Sequence, residues 1–378
     1  MATNHRPFFS IVVACYNPRK YISRLLMSIV NQHLPEEIEV ILSDDHSTEN
    51  YDDIVDKFKK YIHIKRTITD YNFAPGNTRQ KGTEIATGQW MCFADQDDEF
   101  YPDSLVHVME GIINSGERFY VVTDFNECSL DENRSVIREF RQCLGWCHGK
   151  FYNLDNMWKK FGMEFKKDFK SHEDIYICSR ANCVMRFLNN KMPTYVPVLT
   201  YCWLQNPNSL THVKYNIDES DGKERTFLEY LFDDYITSTG GVYIEQYELN
   251  NIDKEYAMSS VIEVFAYCYF YIMGFIFHEP DHYLQINIEH ARNYLIKIKE
   301  LFGVTNQDIY NHLAANDAQL FTQIKTSADI ASGPYIPSMT LMGFLDHLHK
   351  DIKPAATPLR RVHPHRLHLL QGGWCRLQ

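Results

Sequence analysis

The 378-residue sequence shows no internal repeat, no low-complexity tract and no excess of positive charge; 49 acidic residues stand against 38 Lys and Arg, a net charge of −11. With 44% hydrophobic and 23% charged residues it has the balance of a globular protein, not of a disordered or fibrous one. The negative balance argues against a surface that attracts nucleic acid as a whole. No secretory leader is recognisable, because the apolar run Phe8–Cys15 is too short and no small-residue cleavage site follows it. A stable membrane span is not expected either. Ala257–Phe277 is almost wholly apolar, but Glu263 and the polar ends of Tyr267, Cys268, Tyr269 and Tyr271 suit a buried helix better, with peripheral membrane contact left open. Nor is a disulfide framework expected: the ten cysteines are scattered, and Cys15, Cys92, Cys183, Cys202 and Cys268 sit inside apolar stretches. That usage fits reduced, buried thiols in a cytoplasmic protein.

What is present is an alternation of strands and helices over the first hundred residues. Phe8–Cys15 is a buried strand with β-branched residues at its centre. Asn17 can cap a following helix with Pro18 at its first position. Ile22, Leu25, Leu26, Ile29 and Val30 then fall on one helical face. Glu39–Ser43 predicts a second strand, Tyr61–Thr67 a third and Trp90–Ala94 a fourth, with a helix over Thr78–Ala86. This alternation implies a doubly wound α/β sheet, in which ligands bind beyond the carboxyl ends of the strands. Those ends carry Asn17, Asp44-Asp45 and Asp95-Gln96-Asp97. Caps and turns favour Asp and Asn too, but packing does not explain three polar clusters at one sheet edge.

Asp95-Gln96-Asp97 is the strongest single signal. Two carboxylates on one short turn can hold a hard divalent cation, which can bind a diphosphate and offset its charge. A D-x-D alone is common; its place after a buried strand, with Asp98 and Glu99 behind it, gives it weight.

With these residues in view, the chain resembles the family-2 glycosyltransferases, whose nucleotide-binding domain has the GT-A fold. The resemblance runs from Phe8 to His212 through five ordered segments: Ile11–Asn17, Glu39–Thr48, Asn77–Gly82 with Ala86 and Gly88, Trp90–Asp98, and Ser171–Asp174. It implies a Rossmann-like GT-A domain with a mainly parallel mixed sheet, and an inverting sugar transfer from a nucleotide-sugar, a UDP-sugar by preference. Ala14, Tyr16 and Asn17 would hold base and ribose, with Tyr16 offering a stacking face. Asp44 would accept from the uracil N–H. Arg79 would neutralise the diphosphate or orient Asp95. Asp95 would contact ribose or metal, and Asp97 would ligate Mn²⁺ or Mg²⁺. Gln80 stands where the family often has Asn, which leaves that position undefined. Asp174 is the candidate general base, and Glu173 would orient the acceptor or the base. Acids at the start of a helix over Ile175–Met185 would favour its positive end in any case.

His212 resembles a late loop that closes over the donor and could complete a metal shell, although a surface histidine is the plain alternative. His148 sits where the family often lines the donor-sugar pocket. Cys143, Cys147 and His148 have no second ligand pair to make a zinc site. The five lysines of Lys159–Lys170 lead directly into Ser171–Asp174. A solvated helix face is the plain explanation; an anionic acceptor, such as a phosphate-containing glycan or modified DNA, is the sharper one.

Two other functions compete. A nucleotidyltransferase would show a Gly-rich phosphate loop, and Ala14–Lys20 contains no glycine. A degenerate, non-catalytic module for binding a glycan or partner would not need Asp44, Asp95, Asp97 and Asp174 together. The expected organisation is a catalytic domain over 1–214 and a mainly helical domain over 215–352, followed by a basic tail over 353–378. Helices are expected at Arg225–Ile236, Ala257–Phe277, Tyr283–Phe302 and Thr305–Lys325. The helical domain would bind acceptor, form a homo-oligomer or dock to a partner. Between Arg360 and Arg376 there is no acidic residue, as in a disordered end.

Overall fold

The computed structural model describes residues 5–71, 75–166, 173–188, 192–206, 216–217, 224–225, 240–276 and 283–316. The chain divides into two compact units, Met1–Val213 and Lys214–Gln378.

The first unit is built on one nine-stranded sheet. Its strands are β1 (Phe9–Cys15), β2 (Ile38–Asp44), β3 (His63–Ile68), β4 (Trp90–Asp95), β5 (Glu99–Phe100), β6 (Tyr120–Cys128), β7 (Val136–Phe140), β8 (Lys150–Asn153) and β9 (Thr194–Leu204). The spatial order is β3-β2-β1-β4-β8-β6-β9-β5, with β7 paired to β6. The four strands β3-β2-β1-β4 are mutually parallel. Beyond them β8 runs antiparallel to both β4 and β6, while β6 and β9 are parallel to each other. Two antiparallel steps restore direction, so the carboxyl ends of β4, β6 and β9 lie along the same edge as those of β1 and β2. β1, β2 and β6 are buried almost throughout, as continuous apolar runs require when both faces are covered.

The helices are α1 (Ile22–Val30), α2 (Asp52–Phe58), α3 (Pro75–Glu84), α4 (Ser104–Ser115) and α5 (Glu173–Phe187). α1 buries Ile22, Leu25, Leu26 and Ile29, worth roughly 1.5–3 kcal/mol each. Val30, at the end of that stripe, is half-buried. One expectation fails at its start. Pro18–Lys20 forms a separate 3₁₀ turn, and Asn17 is left-handed (φ 46°) with no capping bond to it. Its amide oxygen instead accepts from the Thr48 N–H at 2.9 Å. α3 lies close on the sheet because Gly82 has no side chain; a Cβ there would stand 2.4 Å from Val12 Cγ1.

The second unit contains α6 (Gly241–Glu248), α7 (Lys254–Ile276), α8 (Tyr283–Phe302) and α9 (Asn306–Asn316), and a two-residue antiparallel pair, Asn216–Ile217 with Glu224–Arg225. Ala257, Val261, Ile262, Phe265, Leu295, Ile298 and Ile309 form its buried apolar side chains. Among the described residues, no helix is long and apolar enough to cross a membrane. The expected helix over Arg225–Ile236 lies almost wholly outside the described residues, as do residues 317–325 and the basic tail.

Candidate active site

Strand register assembles the site. Ala14 pairs with Ser43 and with Asp95, and Cys15 pairs with Asp44. The chain leaves β1 toward β2 and later returns on its other flank as β4. The crevice between β1 and β4 is therefore the switch point at which α/β sheets bind nucleotides.

On the β2 side, Asp44 is buried and accepts from the Ser47 N–H at 2.7 Å and the Tyr51 hydroxyl at 2.5 Å. The Arg66 guanidinium stands 3.9 Å away and lies over the Tyr51 ring. Each Asp44 oxygen keeps a second lone pair, so the carboxylate can still accept one more bond. Asn17 ties the β1 turn to the β2 loop, receiving from Thr48 while its own N–H donates to the Ser47 hydroxyl at 2.9 Å. Tyr16 keeps its ring 44% exposed while its backbone is clasped. Its N–H donates to Gln96 Oε1 at 2.8 Å, and its carbonyl accepts from Gln96 Nε2 at 2.9 Å. The middle residue of the acidic turn thus fixes that turn against β1.

The three carboxylates of that turn have different surroundings. Asp98 is buried, accepting from the Tyr201 hydroxyl and the Leu204 N–H, each at 2.8 Å. Asp97 accepts from Asn206 Nδ2 at 2.7 Å, and its carbonyl accepts from Arg24. Asp95 uses Oδ1 to pair with Arg79 Nη2 at 2.5 Å, and its N–H donates to the Tyr201 hydroxyl at 2.8 Å. Burial, then Asp97 and Asp95, pushes the Asp98 carboxyl well up. Burial is also the main cause of the rise at Asp97. At Asp95 burial acts in the same sense, but the charges of Arg79 and His148 outweigh it and hold the carboxyl low.

Arg79, on α3, is buried and serves two acids. Nη2 holds Asp95 and Nη1 holds Glu173 at the head of α5. Asp174 follows, half-buried, its carboxyl pushed up to about 7 by burial and the Glu173 charge, against the pull of Arg79.

On the far flank an aromatic wall borders the acids. The His148 ring lies flat over Tyr201 (5.0 Å, 13°) and Trp203 (5.8 Å, 22°), and Trp146 meets Trp203 edge-on at 5.5 Å. Trp146 and Trp203 are half-buried, whereas His148 is buried and its Nδ1 has no partner among the described residues. Burial lowers the His148 pKa to about 4, so the ring is neutral at pH 7 and offers a nitrogen lone pair. A ring nitrogen of His148 and carboxylate oxygens of Asp95 and Asp98 lie within 4.8 Å of one another. Asp95, Asp98 and the His148 imidazole are therefore the candidate donor set, with Asp97 on the same turn. Carboxylate oxygens suit Mg²⁺ or Mn²⁺, whereas an imidazole nitrogen suits softer ions such as Zn²⁺ or Fe²⁺.

The structure therefore brings Ala14, Tyr16, Asn17, Asp44, Arg79, Asp95, Asp97, His148, Glu173 and Asp174 to one edge of the sheet or to helices packed there. His212 lies outside the described residues, as do residues 167–172. Lys159 closes a π-helical turn and Lys160–Lys166 is not helical, so those lysines do not form the helix face expected. Cys147 is a buried free thiol apart from the acid–imidazole group. Sequence reasoning missed the tying of Arg79 to Glu173, the bonds that hold Asp98, and Lys150. Lys150 is wholly buried on β8, donates to the His148 carbonyl at 3.0 Å, and is lowered by burial to about 8.

Residues 10–190 match the model of Glycosyl transferase family 2. The chain is 35% identical over 99 residues to poly(ribitol-phosphate) beta-N-acetylglucosaminyltransferase TarS of Staphylococcus aureus, a stretch covering 26% of this chain and 17% of the relative. It is 37% identical over 102 residues to a poly(ribitol-phosphate) beta-glucosyltransferase of Bacillus spizizenii, covering 26% and 16%. The matched stretch is thus under a fifth of either relative's length. The crystal structure of S. aureus TarS 1-349 with UDP-GlcNAc superposes with a TM-score of 0.62 at 17% identity, over 86% of this chain and 92% of that one. The architecture is that of the GT-A fold, with a helical part after it.

Proposed function

Because residues 10–190 match the glycosyl transferase family 2 model, we propose that this chain is a metal-dependent, inverting glycosyltransferase that moves a sugar from a UDP-sugar to a hydroxyl of an anionic glycan or polyol-phosphate polymer. The observation that carries this reading is the convergence of Asp44, the Tyr16–Asn17 turn, Asp95-Gln96-Asp97 and Asp174 on the β1/β4 crevice. The acceptor class rests on the poly(ribitol-phosphate) relatives and on Lys166, whose ammonium lies over the Tyr176 ring of α5.

In this reading Asp44 accepts from the base, Tyr16 stacks on it, and Asp95 and Asp97 hold the divalent cation. That cation counters the charge of the diphosphate. Trp203 and His148 border the sugar. The Asp174 carboxylate takes the proton of the acceptor hydroxyl while the oxygen lone pair forms the new bond to the anomeric carbon. The bond from that carbon to the phosphate oxygen breaks from the opposite face, and its electron pair leaves with UDP.

Thermal melting with Mn²⁺ and a panel of nucleoside diphosphates tests the donor site. UDP plus Mn²⁺ should raise Tm in the wild type and not in Asp97→Ala. Stabilisation by GDP alone, or by no nucleotide, would remove the donor assignment.

A further inference from the structure

Within the glycosyl-transfer reading, on which this inference rests, Glu173 is expected to orient the acceptor or the base. Its carboxylate is buried and committed to Arg79. The same guanidinium holds Asp95 Oδ1 at 2.5 Å. One planar cation with two donor groups sets the separation of the two acids it binds. Glu173 is gripped at its stem as well. Gly76, one turn before Arg79 on α3, approaches so closely that a Cβ there would lie 2.9 Å from Glu173 Cβ. α3 is in turn seated on β1 and β2 through Gly82, whose absent Cβ would meet Val12 and Ser43. The chain of contacts therefore runs from the sheet through α3 to Glu173, and the next residue is Asp174.

We propose that Glu173 and Arg79 are positioning residues that join the acidic donor turn to the head of α5, so that the site of Asp95 and the site of the Asp174 carboxylate are set together. Glu173 does not touch the acceptor. Its loss acts in two directions at once. Asp174 is misplaced, which lowers turnover, and Arg79 shifts toward Asp95, which alters cation-dependent nucleotide binding. A residue that merely holds the fold would do neither in a protein that remains folded, and a residue that binds acceptor would change acceptor KM.

The test uses the full chain. UDP binding is titrated at several Mn²⁺ concentrations. UDP release is followed from the UDP-sugar that the wild type uses best, with poly(ribitol-phosphate) as the acceptor probe. Glu173→Ala should lower kcat about 100-fold, as a misplacement near 1 Å can do. Glu173→Gln, whose amide oxygen still accepts from Arg79, should lose about tenfold in kcat. In both, acceptor KM should stay within about twofold of wild type, while the Mn²⁺ concentration needed for half-maximal UDP binding rises about fivefold. Should Glu173→Ala fail to fold, the isosteric Gln variant carries the test. A raised acceptor KM at unchanged kcat, or unchanged kcat and Mn²⁺ dependence in a folded variant, overturns the proposal. Absence of Mn²⁺-dependent UDP binding in the wild type would instead overturn the transferase reading itself.

Discussion

Asp174→Asn removes the proposed proton acceptor at the head of α5 while keeping the side chain's shape. In the wild type, burial chiefly, then the Glu173 charge, raises the Asp174 carboxyl from 3.8 to about 7, with Arg79 opposing. A base with that pKa is about half ionised at pH 7 and about 1% ionised at pH 5, so kcat/KM should rise roughly fiftyfold between them and level off above pH 8. Stability should run the other way. The folded pKa lies above the unfolded one, so the folded chain binds this proton more tightly. The resulting stabilisation is complete below about pH 4 and is lost as pH rises through 7. A rise of roughly three in pKa corresponds to roughly 4 kcal/mol, an upper bound because Asp174 keeps partial solvent contact. The Asn variant should therefore be inactive in transfer, match wild-type stability at pH 4, and exceed it by up to a few kcal/mol at pH 8. UDP release against pH and urea unfolding at the two pH values measure both arms. A flat kcat/KM from pH 5 to 8 would rule out Asp174 as the base, and a variant less stable than wild type at pH 8 would rule out a buried carboxyl with a raised pKa.

Two further predictions concern other parts of the first unit. Glu39, wholly buried, is held down to about 2 because bonds from Lys65, Ser10 and Thr87 outweigh the upward push of burial. Its stabilisation is therefore present above pH 4.5 and lost as pH falls through 2, so Glu39→Gln should cost roughly 2–3 kcal/mol in urea unfolding at pH 7 and nothing at pH 2. UDP binding should be unchanged in that variant. Trp203→Ala removes half of the surface on which the His148 ring rests; KM for the UDP-sugar should rise roughly tenfold while calorimetric affinity for UDP alone stays the same.

The parallel half of the sheet was legible in the sequence for a physical reason. Strands covered on both faces need uninterrupted apolar runs, and Phe9–Cys15, Ile38–Asp44 and Trp90–Asp95 lie within a residue or two of the expected spans. Tyr283–Phe302 also agrees with the helical pattern. The antiparallel insertion was not legible. β8 has only four residues, and nothing local marks Lys150 at its start as buried. Acid-bearing turns could be read because they directly follow such strands. Their separate surroundings could not: Asp97 and Asp98 are adjacent in sequence, and the Tyr201 hydroxyl and the Leu204 N–H that bond Asp98 come from over 100 residues away. Arg79 and Glu173 are 94 residues apart, and no local pattern encodes their meeting. Asn17 misled because Asn serves caps and left-handed turns equally well.

The Glu39 cluster lies at the opposite end of the sheet from Asp44 and Asp95. Glu39 pairs in register with Ser10 and reaches Lys65 at 2.7 Å. From there to the Asp44 end is five residues of β2, roughly 17 Å, beyond the roughly 10 Å within which sites usually couple. Free-energy changes made at the two ends should accordingly add. A lineage, or an engineer, can then bank stability at the amino edge and trade it for new sugar or acceptor preferences at the carboxyl edge.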